Sequence, residues 1–241
     1  CGGSAAPRSL IEAFDRLLGV ELIHAWGMTE TSPLATVNKP LAHQIEYDAE
    51  QSYDLRTSQG RTMYGVELMI VGEEGGELAR DGKSAGDLKV RGPWIAERYF
   101  GDTAPAIDGD GWFATGDVAR LTPHGFLEIT DRSKDVIKSG GEWISSIDLE
   151  NAAVGHPKVT EAAVIGVPHP RWQERPLLLV TCAEGEKPTR EELLDHLSKH
   201  VARWWLPDDV LFVDELPHTA TGKLLKVKLR ETWRDHYQAK A

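Results

Sequence analysis

The chain contains 241 residues, 41% of them hydrophobic, and carries a formal net charge of −11. Such a chain can bury one large core or two modest ones, and ordinary domain sizes favour two. The acidic surface argues against a nucleic-acid or anionic-membrane partner, because both select basic proteins. Two cysteines, Cys1 and Cys182, are too few for a disulfide framework or a four-thiolate zinc site, so we expect a reducing cytoplasm. No apolar run approaches the ~20 residues that an integral membrane segment needs.

The first seven residues, Cys1 to Pro7, are typical of the interior of a loop, and no initiating methionine precedes them. We therefore expect the chain to be part of a longer protein whose active site extends upstream. On this interpretation the chain alone lacks some of the groups that its chemistry needs.

Residues 7–24 predict a helix followed by a strand. Ser9 and Glu12 have the spacing of a capping box, apolar residues recur on one face, and Gly19 is a stop signal. A short strand is then expected at Val20–Ile23. This helix and strand are expected to form the end of a larger αβ sheet subdomain.

The next part of the chain changes from weak periodicity to repeated strand signals. Residues 40–59 are polar and are expected to form a surface excursion. Between Gly65 and Thr130, glycine-rich turns separate strands that we expect at Val66–Val71, Asp87–Val90 and Phe126–Thr130. This spacing suits a small antiparallel β-barrel over residues 60–131.

Beyond Asp131 the pattern changes again, and alternating helices and strands predict an α+β domain over residues 132–241. Thr189 and Glu192 have the spacing of a second capping box. Helices are expected at Ile147–Val154, from Thr189 to about Val201, and at Lys226–Tyr237. Strands are expected at Glu161–Val167, Leu177–Cys182 and Val210–Val213. The predicted fold class is therefore α/β and α+β, with a domain boundary at Asp131–Lys134.

A first candidate site lies at Trp26-Gly-Met-Thr-Glu30, directly after the predicted strand. Ligands of α/β folds collect at the ends of sheet strands. A hard cation such as Mg²⁺ is commonly held by one carboxylate together with phosphate oxygens, so Glu30 could hold the metal while Thr29 donates to a phosphate. The alternative is an ordinary strand-to-loop turn in which Thr29 caps the next segment.

A second candidate site is Thr115-Gly-Asp117, at the start of a strand after a glycine-rich turn. The carboxylate of Asp117 could accept hydrogen bonds from both hydroxyls of a ribose, and a charged acceptor strengthens such bonds. The alternative is a simple turn.

Two lysines and a glycine pair complete the candidates. Lys138 and Lys223 each carry a point charge on a long stem, although a solvated surface position is the ordinary role of a lysine. Gly140 and Gly141 permit a close backbone approach or a positive φ, as a ligand-binding loop or a plain hairpin turn requires. Trp143 could stack on adenine.

Several of these runs together resemble the adenylate-forming family of acyl-CoA synthetases. The resemblance rests on Trp26–Glu30, Trp112–Asp117, Asp131–Ile144, Asp148–Glu150, Gly155–Pro157, Ala163–Pro168, Glu174–Pro176 and Thr219–Leu224. The run Gly141–Ser146 is similar to that of bacterial medium- and long-chain fatty-acid–CoA ligases. The chain departs from the family pattern in carrying Trp26 where tyrosine is usual, and in lacking the upstream phosphate loop.

The resemblance implies roles for individual residues. Lys223 would bridge the carboxylate and the α-phosphate during adenylation, and Lys138 would act in thioester formation. The small C-terminal domain would rotate about Lys134. The implied nucleotide-binding residues are Gly3, His24, Ala25, Trp26, Gly27, Thr29, Asp117, Arg132 and Trp143. The residues expected near CoA are Gly140, Gly141 and Glu142, and the metal ligand is Glu30.

The resemblance also implies an organisation and an activity. Residues 1–131 would be the end of a large AMP-binding domain, and residues 132–241 a small, mobile C-terminal domain. The implied enzyme is a cytoplasmic fatty-acid–CoA ligase that uses ATP, Mg²⁺ and CoA, and a homodimer of the longer protein is one arrangement that it allows. Two alternatives stay open: an adenylating enzyme that passes the acyl group to a carrier protein, and an inactive fragment that only binds nucleotide weakly or acts as a scaffold.

Overall fold

The structure, a computed structural model, describes residues 1–183, 185–220 and 222–238. It consists of two compact units, residues 1–133 and 134–241. The division lies within the interval in which the sequence predicts a boundary. None of the described helices combines the length and the hydropathy that a membrane-spanning helix requires.

The first unit combines a helical layer with two small sheets. Its helices are α1 (Arg8–Leu18) and α2 (Ala49–Thr57). Its strands are β1 (Ala25–Trp26), β2 (Thr36–Val37), β3 (Arg61–Thr62), β4 (Glu67–Val71), β5 (Gly86–Arg91), β6 (Phe113–Leu121) and β7 (Leu127–Arg132). Strands β1, β2 and β3 form one antiparallel sheet, and β4 to β7 form another.

Helix α1 is confirmed, but two details of its prediction are wrong. The helix begins directly after Pro7, so Ser9 lies inside the first turn and no side chain caps the helix. Pro7 is the N-cap residue, with a non-helical ψ of 144°, and its side chain has no group that could cap the helix. Gly19 ends the helix with a left-handed φ of 61°. Residues 20–23, which the structure describes, form no strand, because the first strand pairing, between β1 and β2, starts only after them.

The segment 40–59, expected to be a surface excursion, contains helix α2. The carboxylate of Asp48 accepts the Gln51 N–H at 2.9 Å, and the Gln51 side chain accepts the Asp48 N–H at 3.2 Å. This reciprocal pair is a capping box. The apolar periodicity of the segment is weak, so periodicity alone did not predict the helix that the box begins. Tyr53 is the buried residue of α2 and packs in one cluster with Ile11 of α1.

The second sheet of this unit is an antiparallel meander in the order β4-β5-β6-β7. The predicted barrel is wrong, because β4 and β7 do not pair within the described residues and the sheet stays open. Irregular segments cover its edges instead. Leu78 N–H donates to the Ile70 carbonyl beside β4, and Gln59 N–H donates to the Leu127 carbonyl beside β7, both at 2.8 Å. Spacing along the chain identifies strands but not whether the first strand meets the last.

The second unit is an α+β sheet with helices on both faces. Its strands are β8 (Ile137–Ser139), β9 (Glu142–Ile144), β10 (Val159–His169), β11 (Gln173–Cys182) and β12 (Asp209–Phe212). Its helices are α3 (Ser146–Val154), α4 (Arg190–Leu197) and α5 (Lys226–Trp233). The sheet order is β10-β11-β8-β9, and β12 pairs in parallel with β11.

Strands β10 and β11 are buried on both faces, which explains their nearly continuous apolar sequences. Successive side chains of a strand point to opposite sides. Val164 and Leu178 pack in the cluster that includes residues of α3 and α4, whereas Ile165 and Leu177 pack in the cluster that includes α5. The helices and strands predicted for this unit are thus confirmed, apart from shifts at their ends. The capping box of Thr189 with Glu192 is also confirmed.

Candidate functional site

The strand β1 leads into a tight turn that carries Thr29 and Glu30. A side chain at Gly27 would bring its Cβ to 1.8 Å from the Pro33 carbonyl oxygen, so only glycine fits where the two backbone segments meet. The turn is capped by Thr31, whose hydroxyl accepts the Met28 N–H at 2.9 Å. The interpretation in which Thr29 provides this cap is therefore wrong, and Thr29 is exposed in the turn that follows the strand.

Glu30 is a partly buried carboxylate with one neutral partner. Its Oε1 accepts the hydroxyl hydrogen of Tyr99 at 2.7 Å, and this hydrogen bond raises the pKa of Tyr99. Within the described residues, no group of three His, Cys, Asp or Glu side chains could hold a metal ion by itself. Mg²⁺ seldom requires such a group, because it takes one or two carboxylates together with substrate phosphates and water. Glu30 therefore fits a phosphate-bound Mg²⁺.

Asp117 is the buried charge of the first unit's site, with its side chain 7% exposed. Its Oδ2 accepts the indole Nε1–H of Trp26 at 3.2 Å. Its Oδ1 is 3.1 Å from Nε of Arg132, the residue opposite Asp117 in the pairing of β6 with β7. Its backbone N–H donates to the Thr115 hydroxyl at 3.1 Å. Residues predicted from three separate runs are thus in contact around one carboxylate.

The side chain of Arg132 contacts both Asp117 and solvent. Its Nε holds Asp117, whereas 49% of its side chain is exposed. An arginine presents five N–H donors in a planar fork, so one guanidinium can hold the carboxylate and still meet a solute. This arrangement suits the predicted contact of Arg132 with a nucleotide.

Ala25 is the first residue of β1, His24 precedes it, and the first residues of the chain, including Gly3, lie next to the strand. The imidazole of His24 is buried, and its Nδ1–H donates to the Thr57 carbonyl at 3.0 Å. Burial lowers the pKa of His24, so this ring stays neutral at pH 7. The Ala25 N–H donates to the Cys1 carbonyl at 2.9 Å, which brings the first residues next to the strand. Gly3 has a φ of 88°, and a Cβ added there would meet no atom within 4 Å.

In the second unit, Lys138 and Trp143 are opposite each other in the β8–β9 hairpin. The Nζ of Lys138 lies 5.8 Å from the centroid of the indole ring. Gly140 and Gly141 have φ values of 62° and 87°, the signs that a two-residue hairpin turn of type I′ requires. The hairpin interpretation of the glycine pair is confirmed. Glu142, which follows the turn, is exposed, and the CoA role of the three residues stays a prediction.

Lys223 lies on a separate turn between β12 and α5. Thr219 N–H donates to the Lys223 carbonyl at 2.7 Å, and Lys223 N–H donates to the Thr219 hydroxyl at 3.1 Å. Gly222 adopts a φ of 81° in this turn, and Thr221 lies outside the described residues. The side chain of Lys223 is exposed. The backbone of the turn is thus closed by mutual hydrogen bonds, while its lysine points to solvent.

The helix that follows this turn is anchored by an ion pair. Lys226 Nζ lies 2.7 Å from Glu150 Oε1 and 2.6 Å from the Ser146 hydroxyl, so the start of α5 is bound to α3. The two charged side chains are only 11% and 14% exposed. Lys134, the predicted hinge residue, is exposed at the start of this unit.

Sequence reasoning missed the partners that hold these residues. Tyr99 on Glu30 has no sequence signal. The contacts of Glu174 and Arg175 with the Lys138 hairpin were also missed, although Glu174-Arg-Pro176 is one of the runs that carry the resemblance. A cavity of about 530 Å³ in the first unit is lined by other residues, including Arg61, Arg80, Arg91 and Trp112, and by none of the predicted site residues.

Comparison with known proteins gives matches along most of the chain. Residues 1–100 match the family described as AMP-binding enzyme, and residues 148–223 match the AMP-binding enzyme C-terminal domain. The chain is 55% identical to a 3-methylmercaptopropionyl-CoA ligase of Ruegeria lacuscaerulensis, over 97% of this chain and 43% of that protein. It is 50% identical to a long-chain-fatty-acid–CoA ligase of Thermus thermophilus, over 98% of this chain and 44% of that protein.

A solved structure is also similar. The ATP-bound MatB of Rhodopseudomonas palustris matches with a TM-score of 0.82 and 28% identity, over 98% of this chain and 45% of that chain. The chain therefore spans less than half the length of each of these three proteins.

Proposed function

This chain belongs to the adenylate-forming acyl-CoA synthetase family, and we propose that it provides the nucleotide-binding and catalytic residues of an ATP-dependent ligase that joins a carboxylic acid to CoA. The reaction runs through an acyl-adenylate, in the reducing cytoplasm that the low cysteine content favours. The observation that carries the proposal is the arrangement around Asp117.

A buried carboxylate is costly unless donors satisfy it. One oxygen of Asp117 accepts the Trp26 indole N–H and the other is ion-paired with Arg132, so the orientation of the carboxylate is set before a ligand arrives. A carboxylate has about four lone-pair sites in all, so it can accept from several donors at once. An acceptor oriented in advance, with a partly exposed guanidinium beside it, suits a ribose diol followed by a phosphate.

In the first half-reaction, Lys223 stabilises the negative charge that develops on the α-phosphate. A carboxylate oxygen of the acid attacks the α-phosphorus of ATP, and the bond to pyrophosphate breaks. Negative charge develops on the α-phosphate oxygens, and a positioned ammonium stabilises it. The two hydrogen bonds between Thr219 and Lys223 support this role, because they limit the freedom of the Lys223 backbone while its side chain is exposed.

In the second half-reaction, Lys138 has a similar role in charge stabilisation. The thiol of CoA loses its proton to solvent, its sulfur attacks the acyl carbon of the adenylate, and AMP leaves. Trp143 lies beside the Lys138 ammonium and offers an apolar face for adenine. In this proposal the two lysines serve successive half-reactions.

Mg²⁺ would be held by Glu30 together with phosphate oxygens of the nucleotide. When bound, the ion neutralises charge on the phosphates as the first bond forms. Tyr99 fixes Glu30 through its hydroxyl, and Thr29 stands at the same turn as a donor to phosphate.

We propose a medium- or long-chain fatty acid as the substrate. The run Gly141–Ser146 and the 50% identity to a long-chain-fatty-acid–CoA ligase support this choice. The 55% identity to a 3-methylmercaptopropionyl-CoA ligase supports a second candidate, a short acid with a thioether in its chain. A pyrophosphate-exchange screen across fatty acids of graded length, 3-methylmercaptopropionate and aromatic acids distinguishes the two.

The proposed mechanism is tested by replacing the two lysines in the full-length protein that carries this chain. Lys223→Ala should reduce acid-dependent pyrophosphate exchange by about 100-fold or more, since it removes a charge aimed at the transition state. It should spare thioester formation from supplied acyl-AMP. Lys138→Ala should do the reverse. Loss of the same step in both variants contradicts the division of roles.

Two alternatives predict different products. An enzyme that loads a carrier protein forms acyl-AMP but no acyl-CoA when free CoA is supplied. A chain that acts only as a scaffold or weak nucleotide binder shows no acid-dependent turnover, and calorimetry with ATP and an acyl-AMP analogue measures its residual affinity. Acyl-CoA formation with free CoA excludes both.

A further inference from the structure

The hairpin that carries Lys138 is held at three consecutive residues by one neighbouring segment. The Lys138 N–H donates to Oε2 of Glu174 at 3.0 Å. The Ser139 hydroxyl accepts from Nη1 of Arg175 at 3.2 Å, and the Gly140 N–H donates to the Trp172 carbonyl at 3.0 Å. The last two residues of β8 and the first residue of the turn are thus bound by a carboxylate, a guanidinium and a backbone oxygen.

The segment that makes these contacts, Trp172–Arg175, has an unusual backbone. Gln173 adopts a φ of 72°, in the left-handed region that residues other than glycine rarely occupy. It pairs with Ser139, which brings β11 alongside β8. Strained residues persist when the surrounding structure determines them, and they are frequent at functional sites.

Arg175 anchors the segment to the rest of the second unit. Its guanidinium donates to Asp208 at 2.8 Å and to the carbonyls of Trp204 and Leu206 at 3.0 and 2.8 Å. Its side chain is only 12% exposed. The segment is therefore fixed independently of the hairpin, as a positioning element must be.

The position of the Glu174 carboxylate depends on a glycine of the adjacent strand. A Cβ at Gly166 on β10 would lie 2.8 Å from Glu174 Oε2 and 3.2 Å from its Cδ. No positive φ is required at Gly166, so alanine suits its backbone and only the carboxylate stands in the way. Gly166 therefore leaves the space in which the carboxylate reaches the Lys138 N–H.

We propose that Trp172–Arg175 is a clamp that positions Lys138 for thioester formation, with Glu174 as its central positioning residue. The inference rests on the proposed role of Lys138. A lysine stem has four rotatable bonds, so its ammonium meets a developing charge reproducibly only if the backbone beneath it is fixed. Glu174 touches no substrate in this scheme and acts through the Lys138 backbone.

The test compares Glu174→Ala, Glu174→Gln and Gly166→Ala in the full-length protein that carries this chain. Glu174→Ala and Gly166→Ala should each slow thioester formation from supplied acyl-AMP by about tenfold to about 100-fold, the range for a lost charge-assisted hydrogen bond and a displaced group. Pyrophosphate exchange should stay within about twofold. Glu174→Gln should recover much of the rate, because its amide oxygen can accept the Lys138 N–H.

The double variant Glu174→Ala/Gly166→Ala distinguishes loss of the clamp from general damage to the sheet. If Gly166→Ala acts by moving the carboxylate, it should add little to Glu174→Ala, whereas independent effects add in free energy. Thr160→Ala is the matched control, because it removes a 2.7 Å hydroxyl contact to Thr181 from the same sheet, away from the hairpin. Thr160→Ala should leave both half-reactions within about twofold of the original.

Amide hydrogen exchange provides a readout that does not depend on the proposed function. In Glu174→Ala and in Gly166→Ala the Lys138 N–H should exchange at least about tenfold faster, while the amides of β10 keep their protection. Unchanged exchange at Lys138 overturns the clamp. Faster exchange with an unchanged thioester rate overturns its functional role. If Lys138→Ala itself leaves thioester formation intact, the proposed function fails instead.

Discussion

Trp26 shows how a single replacement is absorbed at the scale of a residue. The family pattern has tyrosine at this position, and a tyrosine hydroxyl both donates and accepts hydrogen bonds, whereas an indole N–H only donates. In this chain the indole donates to Oδ2 of Asp117 at 3.2 Å, while the residue is 8% exposed and packs in the core of the first unit. The residue therefore serves both the apolar core and the buried carboxylate.

This double role is tested by Trp26→Phe, with Trp94→Phe as a matched control. Trp94 also donates its indole N–H at 3.2 Å, but to the neutral Leu34 carbonyl. Hydrogen bonds to charged groups contribute about 1.5–3 kcal/mol and neutral ones about 1 kcal/mol. Denaturant unfolding should show the larger loss for Trp26→Phe.

Calorimetry with ATP then separates the two variants further. Trp26→Phe should weaken binding about tenfold, because Asp117 loses a donor that orients it, and Trp94→Phe should leave the affinity within about twofold. Equal affinity losses in the two variants contradict the assignment of Asp117 to the nucleotide site.

At the scale of elements, the starts of two helices show that the sequence spacing of a capping box does not by itself produce a cap. Thr189 and Glu192 exchange hydrogen bonds at the start of α4, at 3.1 and 2.9 Å. Ser9 and Glu12 have the same spacing, yet α1 begins at Arg8 and Ser9 lies within its first turn. The spacing identifies a capping box only where the first residue keeps a non-helical backbone.

We therefore expect Thr189→Ala and Ser9→Ala to affect the free energy of unfolding differently. Thr189→Ala should reduce the free energy of unfolding by about 1 kcal/mol, because it leaves the Glu192 N–H without its cap. Ser9→Ala should be neutral or stabilise by a few tenths of a kcal/mol, because alanine favours a helix interior. Both values come from urea titrations, and a loss of 1 kcal/mol in Ser9→Ala contradicts the structure of α1.

At the scale of the whole molecule, the chain forms two units, each with its own apolar cores. The division falls between Ser133 and Lys134, one residue from the arginine that binds Asp117. A swivel about Lys134 stays a prediction. It requires only that the backbone torsions of one residue change between the two half-reactions.

The swivel is tested by Lys134→Pro against Lys134→Ala in the full-length protein. Proline fixes φ near −65° and restricts the preceding residue, whereas alanine removes only the side chain. Lys134→Pro should retain one half-reaction and slow the other by about tenfold or more, and Lys134→Ala should keep both. Equal losses in pyrophosphate exchange and thioester formation point to general misfolding and contradict a hinge.

The second unit could be predicted more fully than the first, for a physical reason. Its strands β10 and β11 are buried on both faces, so their sequences are apolar without interruption and leave a strong signal. Helix α2 of the first unit buries only Tyr53, so periodicity missed it. The open edge of the β4–β7 sheet was missed because closure depends on contacts between distant strands.

The sequence by itself determined the family and the types of most elements. It also identified the charged candidate site residues, which are Asp117, Lys138, Lys223 and Glu30. These follow from short runs in which neighbouring residues constrain one another. Only the tertiary structure decided that Trp26 and Arg132 hold Asp117, that Tyr99 holds Glu30, and that Glu174 holds the Lys138 backbone. Such contacts join residues up to 91 positions apart, and no local pattern records which distant donor will meet a given acceptor.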